Sequence, residues 1–479
     1  MQARILSRET GDLAPRDFNQ ILSAQLLRSY APAPNHRFNG ERAGQTSSLA
    51  DERPHSIRAH GSGVGSLVID RFDGRILLSG GAEGSIKLWD LEACGSPHAS
   101  HTFRPVSSIG RTPGGVKGGG HSHGVTHLAF FPFDREAFLS SSYDKTLKLW
   151  STQHCSLSAE FDLSATIYSH ATSPIADHLL VACATQNSNV RLVDLKSGSA
   201  VQALVAHGGP VLCAAWSPRH EHILVSGHAD GKARVWDVRR AGGVLSMLDQ
   251  EDSLGIVHKY THAIALGQDW SRIPRFRASA QAHDDAVNGV CWTDDGRYIV
   301  TSGLDRRLRV WDADTGANTL ASFGSLIQNQ QAKTANFCLS PSGLSTDRGF
   351  VIWANEQEIL ILDLHEGHVV SRLKSPGLSN PLGPRSRDAG RGRITSIAWR
   401  GCGGGSGADG PIMGGGNSVG ALYSAHLDGQ IRAWMPFVAG DDDIDDDEAE
   451  NRDDGSKSKK RKAVDDAYRS LMGKQVTFS

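Results

Sequence analysis

The chain has 479 residues, of which 39% are hydrophobic and 21% are charged, and its formal net charge at pH 7 is −2. This composition is typical of globular proteins, and the length suffices for one large domain or two modest ones. The near-neutral charge excludes a global electrostatic attraction to nucleic acid or to a membrane surface. The sequence contains no apolar run of about 18 residues and no apolar signal-peptide core at its start, so we expect neither a transmembrane helix nor a secretory leader.

Seven cysteines are spread along the sequence. None of them forms a Cys-x-x-Cys pair, and most lie in apolar runs. This pattern predicts reduced, buried thiols in an intracellular protein rather than a disulfide framework or a zinc site.

The first 30 residues predict a helix, a loop and a second helix. Ile5 and Leu6 lie in the first stretch, Pro15 follows, and Asp17 is a candidate cap for the second helix. The apolar face of that helix, at helical spacing, comprises Phe18, Ile21, Leu22, Leu26 and Tyr30. Two interpretations stay open at this point: the arm packs on its own protein, or it enters a groove on a partner.

Further along, a short strand-like phrase that ends in Trp-Asp or a variant of it returns seven times. The residues at its Trp position are Trp89, Trp150, Val193, Trp236, Trp311, Leu362 and Trp434. The shortest spacing, 43 residues, occurs twice in succession, from 150 to 193 and from 193 to 236. A period of about 40–45 residues that ends in Trp-Asp is the signature of a WD40 propeller blade. We therefore predict an all-β, seven-bladed WD40 β-propeller.

A second regularity supports this interpretation. An acidic residue stands six positions before the Trp in five phrases: Glu83, Asp144, Asp230, Asp305 and Asp428. A hydroxyl stands ten positions before it: Ser79, Ser140, Ser226, Thr301 and Ser424. A histidine opens several blades: His60, His121 or His123, His207, and His283. We expect these groups to form one buried, hydrogen-bonded tetrad in each such blade.

Blades three and six depart from the pattern. They carry Asn187 and Glu356 at the acidic position and Cys183 and Ile352 at the hydroxyl position. The rhythm of strands persists in both, so we still count them as blades.

The ring needs one more strand, because the last phrase ends at Trp434. We predict that Ser56-Ile57-Arg58-Ala59 supplies the outer strand of the seventh blade and so removes the open sheet edges. The predicted organisation is an arm and linker at 1–52, the propeller at 53–438, and a disordered charged tail at 439–479. The insertion at 241–280 and three Gly-rich stretches, 112–120, 375–392 and 401–419, are predicted loops.

No constellation of residues predicts an active site. The His and Asp residues stand at tetrad positions, the glycine runs lack the Lys-Ser/Thr ending of a phosphate loop, and no His/Cys cluster has metal-ligand spacing. We therefore predict a non-catalytic protein without a cofactor or metal.

The tail carries an acidic run, 441–450, and a basic run, 457–462. The basic run is typical of a nuclear localisation segment, so we predict a nuclear protein. The neighbouring acidic run would oppose binding of this tail to nucleic acid, and we expect no direct nucleic-acid contact and no membrane contact.

The fourth Trp-Asp phrase continues as Trp236-Asp237-Val238-Arg239-Arg240. Arg239 lies in or near the turn to the next outer strand, and the other six phrases have no arginine at this position. A guanidinium there offers a planar fork for a carboxylate or carbonyl on a partner, whereas an isolated arginine in a turn is usually only a solvated cation.

Several strings are more specific than a generic propeller. They include Ile5 to Gly11, Ser108-Ile109-Gly110-Arg111, Ser140 to Trp150, and Val235 to Ala241. On these strings the chain resembles the Cockayne syndrome group A protein family, the WD-repeat substrate receptors of cullin-4 RING ubiquitin ligases. The likeness covers nearly the whole propeller and the N-terminal arm.

The resemblance implies a mechanism. Members of that family dock on the large damaged-DNA-binding adaptor through an N-terminal helix-loop-helix and a Trp-Asp-x-Arg turn. In this chain the corresponding residues are Ile5, Leu6, Phe18, Ile21, Leu22 and Leu26 in the arm and Trp236, Asp237 and Arg239 in the turn. The opposite face would present substrates during transcription-coupled nucleotide excision repair, with the Cockayne group B-type ATPase and stalled RNA polymerase II as clients.

The chain also departs from the family pattern, in the Gly-rich insertion 401–419, in the tail after 440 and in Trp434-Met435, which lacks the closing Asp. The alternative function is a generic nuclear WD40 scaffold in chromatin or RNA processing, without a ligase.

Overall fold

Short antiparallel β-strands dominate the computed structural model. The structure describes residues 2–14, 17, 21, 25–41, 57–94, 100–112, 119–240, 244–254, 280–340, 349–374, 392–400 and 420–436. The predicted tail at 439–479 lies outside these residues, as do all or most of the predicted loops 241–280, 375–392 and 401–419. None of the helices in the described part of the chain is long and apolar enough to cross a membrane.

The chain begins with the helix α1 (Gln2–Glu9), and two short strands, β1 (Tyr30–Pro32) and β2 (His36–Phe38), follow. Seven sheets then succeed one another, which confirms the predicted propeller. Blade one contains β3 (Val64–Ile69), β4 (Ile76–Gly81), β5 (Ile86–Asp90) and β7 (Pro105–Ile109); the 3-10 turn Leu91–Ala93 and β6 (His101–Phe103) lie between its last two strands. Blade two contains β8 (Val125–Phe130), β9 (Ala137–Ser142), β10 (Thr146–Ser151) and β11 (Leu157–Asp162).

The next three blades follow the same antiparallel order from the inner strand outward. Blade three contains β12 (Ile167–Thr172), β13 (Leu180–Thr185), β14 (Val190–Asp194) and β15 (Ser199–Leu204). Blade four contains β16 (Val211–Trp216), β17 (Ile223–His228), β18 (Ala233–Asp237) and β19 (Val244–Met247). Blade five contains β20 (Val287–Trp292), β21 (Tyr298–Gly303) and β22 (Arg307–Asp312).

The last two blades complete the ring. Blade six contains β23 (Cys338–Leu339), β24 (Phe350–Ala354), β25 (Glu358–Asp363) and β26 (Val369–Lys374). Blade seven contains β27 (Ile394–Trp399), β28 (Leu422–His426) and β29 (Ile431–Pro436), with β1 as its outer strand. Apolar side chains of adjacent blades fill the space between them; Val225 of blade four, for example, shares a core cluster with Val287 and Trp311 of blade five.

The strand that closes the ring differs from our prediction. β1 pairs antiparallel with β29, with Tyr30 opposite Pro436 and Pro32 opposite Trp434. The prediction that Ser56–Ala59 forms this strand was wrong: the backbone N–H of Ala59 donates to the Gly429 carbonyl at 2.9 Å, in a loop ahead of β3. The closing segment therefore lies within residues 1–52, which the sequence analysis placed before the propeller.

Tyr30 has the burial that a closing strand needs. It is 6% exposed, its hydroxyl donates to the Gly420 carbonyl, and it accepts a hydrogen bond from Trp399 Nε1 at 2.9 Å. The helical conformation of residues 25–28 has ended before it, so Tyr30 does not extend the helical face that its spacing predicted.

The segment after β1 joins blade seven to blade one. β2 pairs in parallel with β6, and Phe38 stacks on Phe103 with ring centroids 4.8 Å apart. Phe38 also makes an edge-on contact with Trp89 of blade one, at 5.2 Å. Because residues 30–38 contact the last blade and the first, they hold the two ends of the propeller together.

Three blades contain the predicted tetrad. In blade one His60 Nε2 contacts Ser79 Oγ at 2.7 Å, its Nδ1 contacts Glu83 at 2.6 Å, and Trp89 Nε1 donates to Ser79 at 2.8 Å. His121, rather than His123, fills this role in blade two, and His283 fills it in blade five. Burial disfavours the Glu83 carboxylate, but hydrogen bonds from His60, Ser62 and Ser85 outweigh it and lower the pKa of Glu83 to about 2.

Blade four uses a different histidine, so the prediction for His207 was wrong. His207 is exposed, and His228, at the end of β17, contacts Ser226 Oγ at 2.7 Å. Blade seven repeats this solution, which the sequence analysis missed, with His426 Nε2 at 2.9 Å from Ser424 Oγ. Blades three and six are degenerate, as predicted: their buried strands carry Val193 and Leu362 at the Trp position.

These two histidines predict acid sensitivity. Burial lowers the pKa of His426 to about 3 and that of His228 well below its usual 6.5. Because both stay neutral in the folded protein while the unfolded chain takes up protons below pH 6.5, stability is full above that pH and falls as the pH decreases. The loss is about 1.4 kcal/mol per pH unit for each histidine.

We expect the denaturation midpoint of the wild type to fall more between pH 7 and pH 5 than that of the His228→Gln and His426→Gln variants. Urea unfolding at both pH values measures the difference, and the variants serve as their own references at pH 7. Equal losses in the wild type and both variants would show that these rings do not carry the effect.

Candidate partner-docking face

Arg239 lies in the turn that joins β18 to β19. Its Nε donates to Asp237 Oδ1 at 3.0 Å and its Nη2 donates to Oδ2 at 2.9 Å. The Asp237 side chain is 5% exposed, whereas that of Arg239 is 63% exposed. The structure therefore fixes the guanidinium in place without burying it.

The contact with Arg239 keeps the Asp237 carboxylate ionised. Hydrogen bonds from Arg239 outweigh partial burial and lower the pKa of Asp237, and Arg240 adds a second cation at 3.6 Å. The sequence predicted a fork open to a partner, but two of its nitrogens already bind Asp237. Its Nη1 makes no hydrogen bond within the described part of the chain, and a partner can contact that edge.

Trp236 has an internal role. It is fully buried, and its Nε1 donates to Ser226 Oγ at 2.7 Å within the blade-four tetrad. It therefore does not touch a docked protein; it fixes the strand end from which Asp237 and Arg239 project.

A groove of about 580 Å³ surrounds the exposed side of Arg239. Its other walls include Ile175, which is 43% exposed, and Arg219, which bridges to Asp314 of blade five at 3.1 Å. His222 completes the wall beside blade three. Sequence reasoning missed these residues, because they come from connecting loops of three blades that only the closed ring brings together.

The arm is partly packed and partly exposed. Leu27 is fully buried with residues of blades six and seven, and Ile21 and Leu26 are half-buried. Leu6 on α1 is 60% exposed. Phe18 and Leu22 lie outside the described residues, as does the side chain of Ile5. The arm thus packs on its own ring at its C-terminal end and leaves an apolar side chain open near its start.

The C-terminal end of the arm enters the ring at the face that carries Arg239. The third strands of the blades share one direction, so their C-terminal ends meet at one face. Asp237 ends the third strand of blade four, and Pro436, which pairs with Tyr30, ends that of blade seven. The residues before Tyr30 therefore enter the fold at the face where Arg239 is exposed.

Comparison with known proteins agrees with the architecture. The WD40 family (WD domain, G-beta repeat) matches residues 52–90, 116–151, 198–237 and 275–312. The chain is 26% identical over 421 residues to the WD repeat-containing protein ATCSA-1 of Arabidopsis thaliana, an alignment that covers 76% of this chain and 89% of the relative.

Two other relatives align over shorter spans. The ribosome biogenesis protein ytm1 of Neurospora crassa is 28% identical, with 53% of this chain and 54% of the relative covered. The radiation-sensitive protein 28 of Saccharomyces cerevisiae is 25% identical, with 40% and 38% covered. The chain therefore spans about half or less of these two relatives.

Two substitutions can distinguish the contribution of the blade-four tetrad to stability from that of Arg239. We expect Ser226→Ala to reduce the free energy of unfolding by about 1–3 kcal/mol, because it leaves Trp236 Nε1 and the His228 ring without their shared partner in a buried site. Arg239→Ala, the control on the exposed side, should change it little, because solvent screens the exposed pair. Urea unfolding of both variants measures the difference, and similar losses would contradict this division of roles.

The match to the repeat family, the seven sheets and the tetrads lead to one conclusion: the chain contains WD40 repeats and folds as a seven-bladed β-propeller.

Proposed function

We propose that this protein is the substrate-receptor subunit of a cullin-4 RING ubiquitin ligase that acts in transcription-coupled nucleotide excision repair. It docks on the large damaged-DNA-binding adaptor through the arm and through the turn that carries Arg239. The protein catalyses no reaction itself in this proposal; WD40 propellers typically serve as scaffolds, and the ligase supplies the chemistry.

One observation carries the proposal: the arm enters the ring, through the residues before Tyr30, at the face that carries Arg239. A partner seated on this face can contact the free edge of the Arg239 guanidinium, and in this proposal it also contacts the arm, where Leu6 is exposed. An exposed aliphatic side chain on the arm and an exposed, pre-positioned arginine are side chains of the kind expected in a protein interface.

The resemblance in the arm and in Val235–Ala241, and the length of the alignment with ATCSA-1, support this family of partners. The Cockayne group B-type ATPase and stalled RNA polymerase II are the proposed clients. The basic run at 457–462 supports a nuclear location.

A nuclear scaffold is the second candidate. The similarity to a ribosome biogenesis protein favours it, but that alignment spans only about half of either chain. The longer alignment with ATCSA-1 includes more of the molecule, so we rank the ligase receptor first.

The adaptor interaction can be tested with a matched pair of arginines. Arg75 contacts Asp90, the Asp of the Trp-Asp phrase in blade one, at 2.6 Å, and its side chain is 53% exposed. It reproduces the chemistry of Arg239 and Asp237 in another blade. We expect Arg239→Ala to weaken binding to the purified adaptor roughly thirtyfold, and Arg75→Ala to leave it unchanged.

Leu6→Asp should weaken adaptor binding as well, because it places a charge in the apolar contact of the arm. Biolayer interferometry with immobilised adaptor measures all three variants. Equal binding by Arg239→Ala and Arg75→Ala would reject the assigned face. If the wild-type protein does not bind the adaptor, the ligase-receptor proposal is rejected and the nuclear scaffold is favoured.

A further inference from the structure

The opposite face of the ring contains an unusual segment. Residues 328–336, between blades five and six, extend over the axial channel and contact the inner strands of other blades. The Thr334 hydroxyl donates to the Leu212 carbonyl of blade four at 2.8 Å, and Asn336 Nδ2 donates to Ser396 Oγ of blade seven at 2.6 Å. Leu212 and Ser396 lie near the start of their strands, so the segment covers the face opposite Arg239.

Asn288 anchors this segment from blade five. It is 1% exposed, and its Nδ2 donates to Asn329 Oδ1 at 2.8 Å and to the Lys333 carbonyl at 3.1 Å. The backbone carbonyl of Asn288 accepts a hydrogen bond from the backbone N–H of Ala335 at 2.8 Å. These bonds fix the backbone on both sides of Lys333, so its position is set before any ligand arrives.

The segment forms part of a cavity of about 340 Å³, which we call the axial mouth; its polar lining includes Tyr143, Tyr168, Lys333, Glu356 and Arg393. The Lys333 ammonium lies over the Tyr143 ring, 6.0 Å from its centroid. Lys333 and Arg393 have no carboxylate partner within the described part of the chain. Burial lowers the pKa of Lys333, and the nearby positive charge of Arg393 lowers it further.

Two cations that line one cavity without an ion-pair partner repel each other in the unliganded site, and an incoming anion relieves the repulsion. Glu356 is the one carboxylate among the lining residues of the mouth, which also include Lys333 and Arg393. The hydroxyls of Tyr143 and Tyr168 make no hydrogen bond within the part of the chain that the structure describes, so they are available to donate to the same anion. The axial mouth therefore favours a carboxylate of a ligand, which the cations and the two tyrosine hydroxyls of the mouth can bind.

We propose that the axial mouth binds an acidic segment of a partner protein, whose carboxylates pair with Lys333 and Arg393. This inference goes beyond the adaptor docking proposed above and does not require it, because the two sites lie on opposite faces. If the chain is a substrate receptor, the mouth is where an Asp- or Glu-rich client segment is recognised.

The test uses the full chain and a labelled probe. The probe is the decapeptide Asp-Asp-Asp-Ile-Asp-Asp-Asp-Glu-Ala-Glu, with the sequence of residues 441–450, and its Asn/Gln counterpart is the neutral control. The chain carries substitutions of the charged residues at 441–450 and 457–462 by Asn and Gln, so that its own tail neither competes for the mouth nor attracts the probe. Fluorescence anisotropy at low ionic strength gives the Kd.

We expect the acidic probe to bind and the neutral one to bind at least tenfold more weakly. Lys333→Gln with Arg393→Gln should weaken acidic-probe binding at least tenfold, whereas Lys196→Gln, an exposed lysine in a blade-three turn, should leave it unchanged. Carbodiimide coupling, followed by mass spectrometry, should join the probe to Lys333 in preference to Lys196.

No binding of the acidic probe, equal binding of both probes, or unchanged binding to the double variant would overturn the proposal. Circular dichroism of the double variant verifies that it remains folded. Adaptor binding by the same proteins is measured separately, so a failure at the mouth is distinguishable from a failure of the adaptor interaction.

Discussion

The pairing of β1 with β29 is the contact on which the rest of the structure depends. A propeller is a ring of sheets whose ends must be joined, because an open end would expose the edges of two blades. Tyr30–Pro32 supplies the missing strand of blade seven, and the next residues reach blade one through Phe38. The same pairing sets the face at which the arm enters, so closure and docking geometry have one origin.

The two faces of the ring have different chemistry. The face where the third strands end carries an exposed arginine held by Asp237, and the arm enters the fold at this face through the residues before Tyr30. The opposite face carries the axial mouth, where Lys333 and Arg393 lie without carboxylate partners among the described residues. A protein that joins a client to a second protein needs two such separate surfaces, and the buried tetrads hold the blades that separate them.

Much of the fold follows from the spacing of a few residues. Ser79 and Trp89 are ten positions apart because they lie diagonally across β4 and β5, where Ser79 pairs with Lys87 and Leu77 pairs with Trp89, and the Trp89 Nε1 reaches Ser79 Oγ along this diagonal. The sequence shows the same spacing in five blades. The histidine of each tetrad was harder to predict, because it can come either from the loop before the blade or from the end of the second strand. A Cβ on Gly81 or Gly303 would lie within 2.5 Å of the loop histidine, so a small residue there accompanies a histidine from the loop. In blades four and seven the same position, two residues after the serine, holds His228 or His426, and no histidine from the loop is needed. A Ser-x-His string in the sequence therefore indicates a blade of this second kind.

The closing strand and the axial mouth show where prediction from sequence stops. Tyr30 fits a helical face by spacing, although the prolines at 32 and 34 favour an extended chain, and only the long-range pairing with β29 decides between them. Lys333 and Arg393 belong to different loops and meet only in the closed ring. The matched Arg75 and Arg239 pairs likewise look different in sequence, since Arg75 lies fifteen residues before its Asp and Arg239 two residues after.

Engineered disulfide formation tests the closure most directly. Ala31 and Met435 are opposite one another in the register of β1 and β29, where Cα atoms are about 4.5–5.5 Å apart and a disulfide can form. The account predicts that Ala31→Cys with Met435→Cys cross-links on mild oxidation of the folded protein, whereas Arg58→Cys with Met435→Cys does not. Cross-linking through position 58 instead of position 31 would show that another segment closes the ring, and would remove the reason for placing the arm on the Arg239 face.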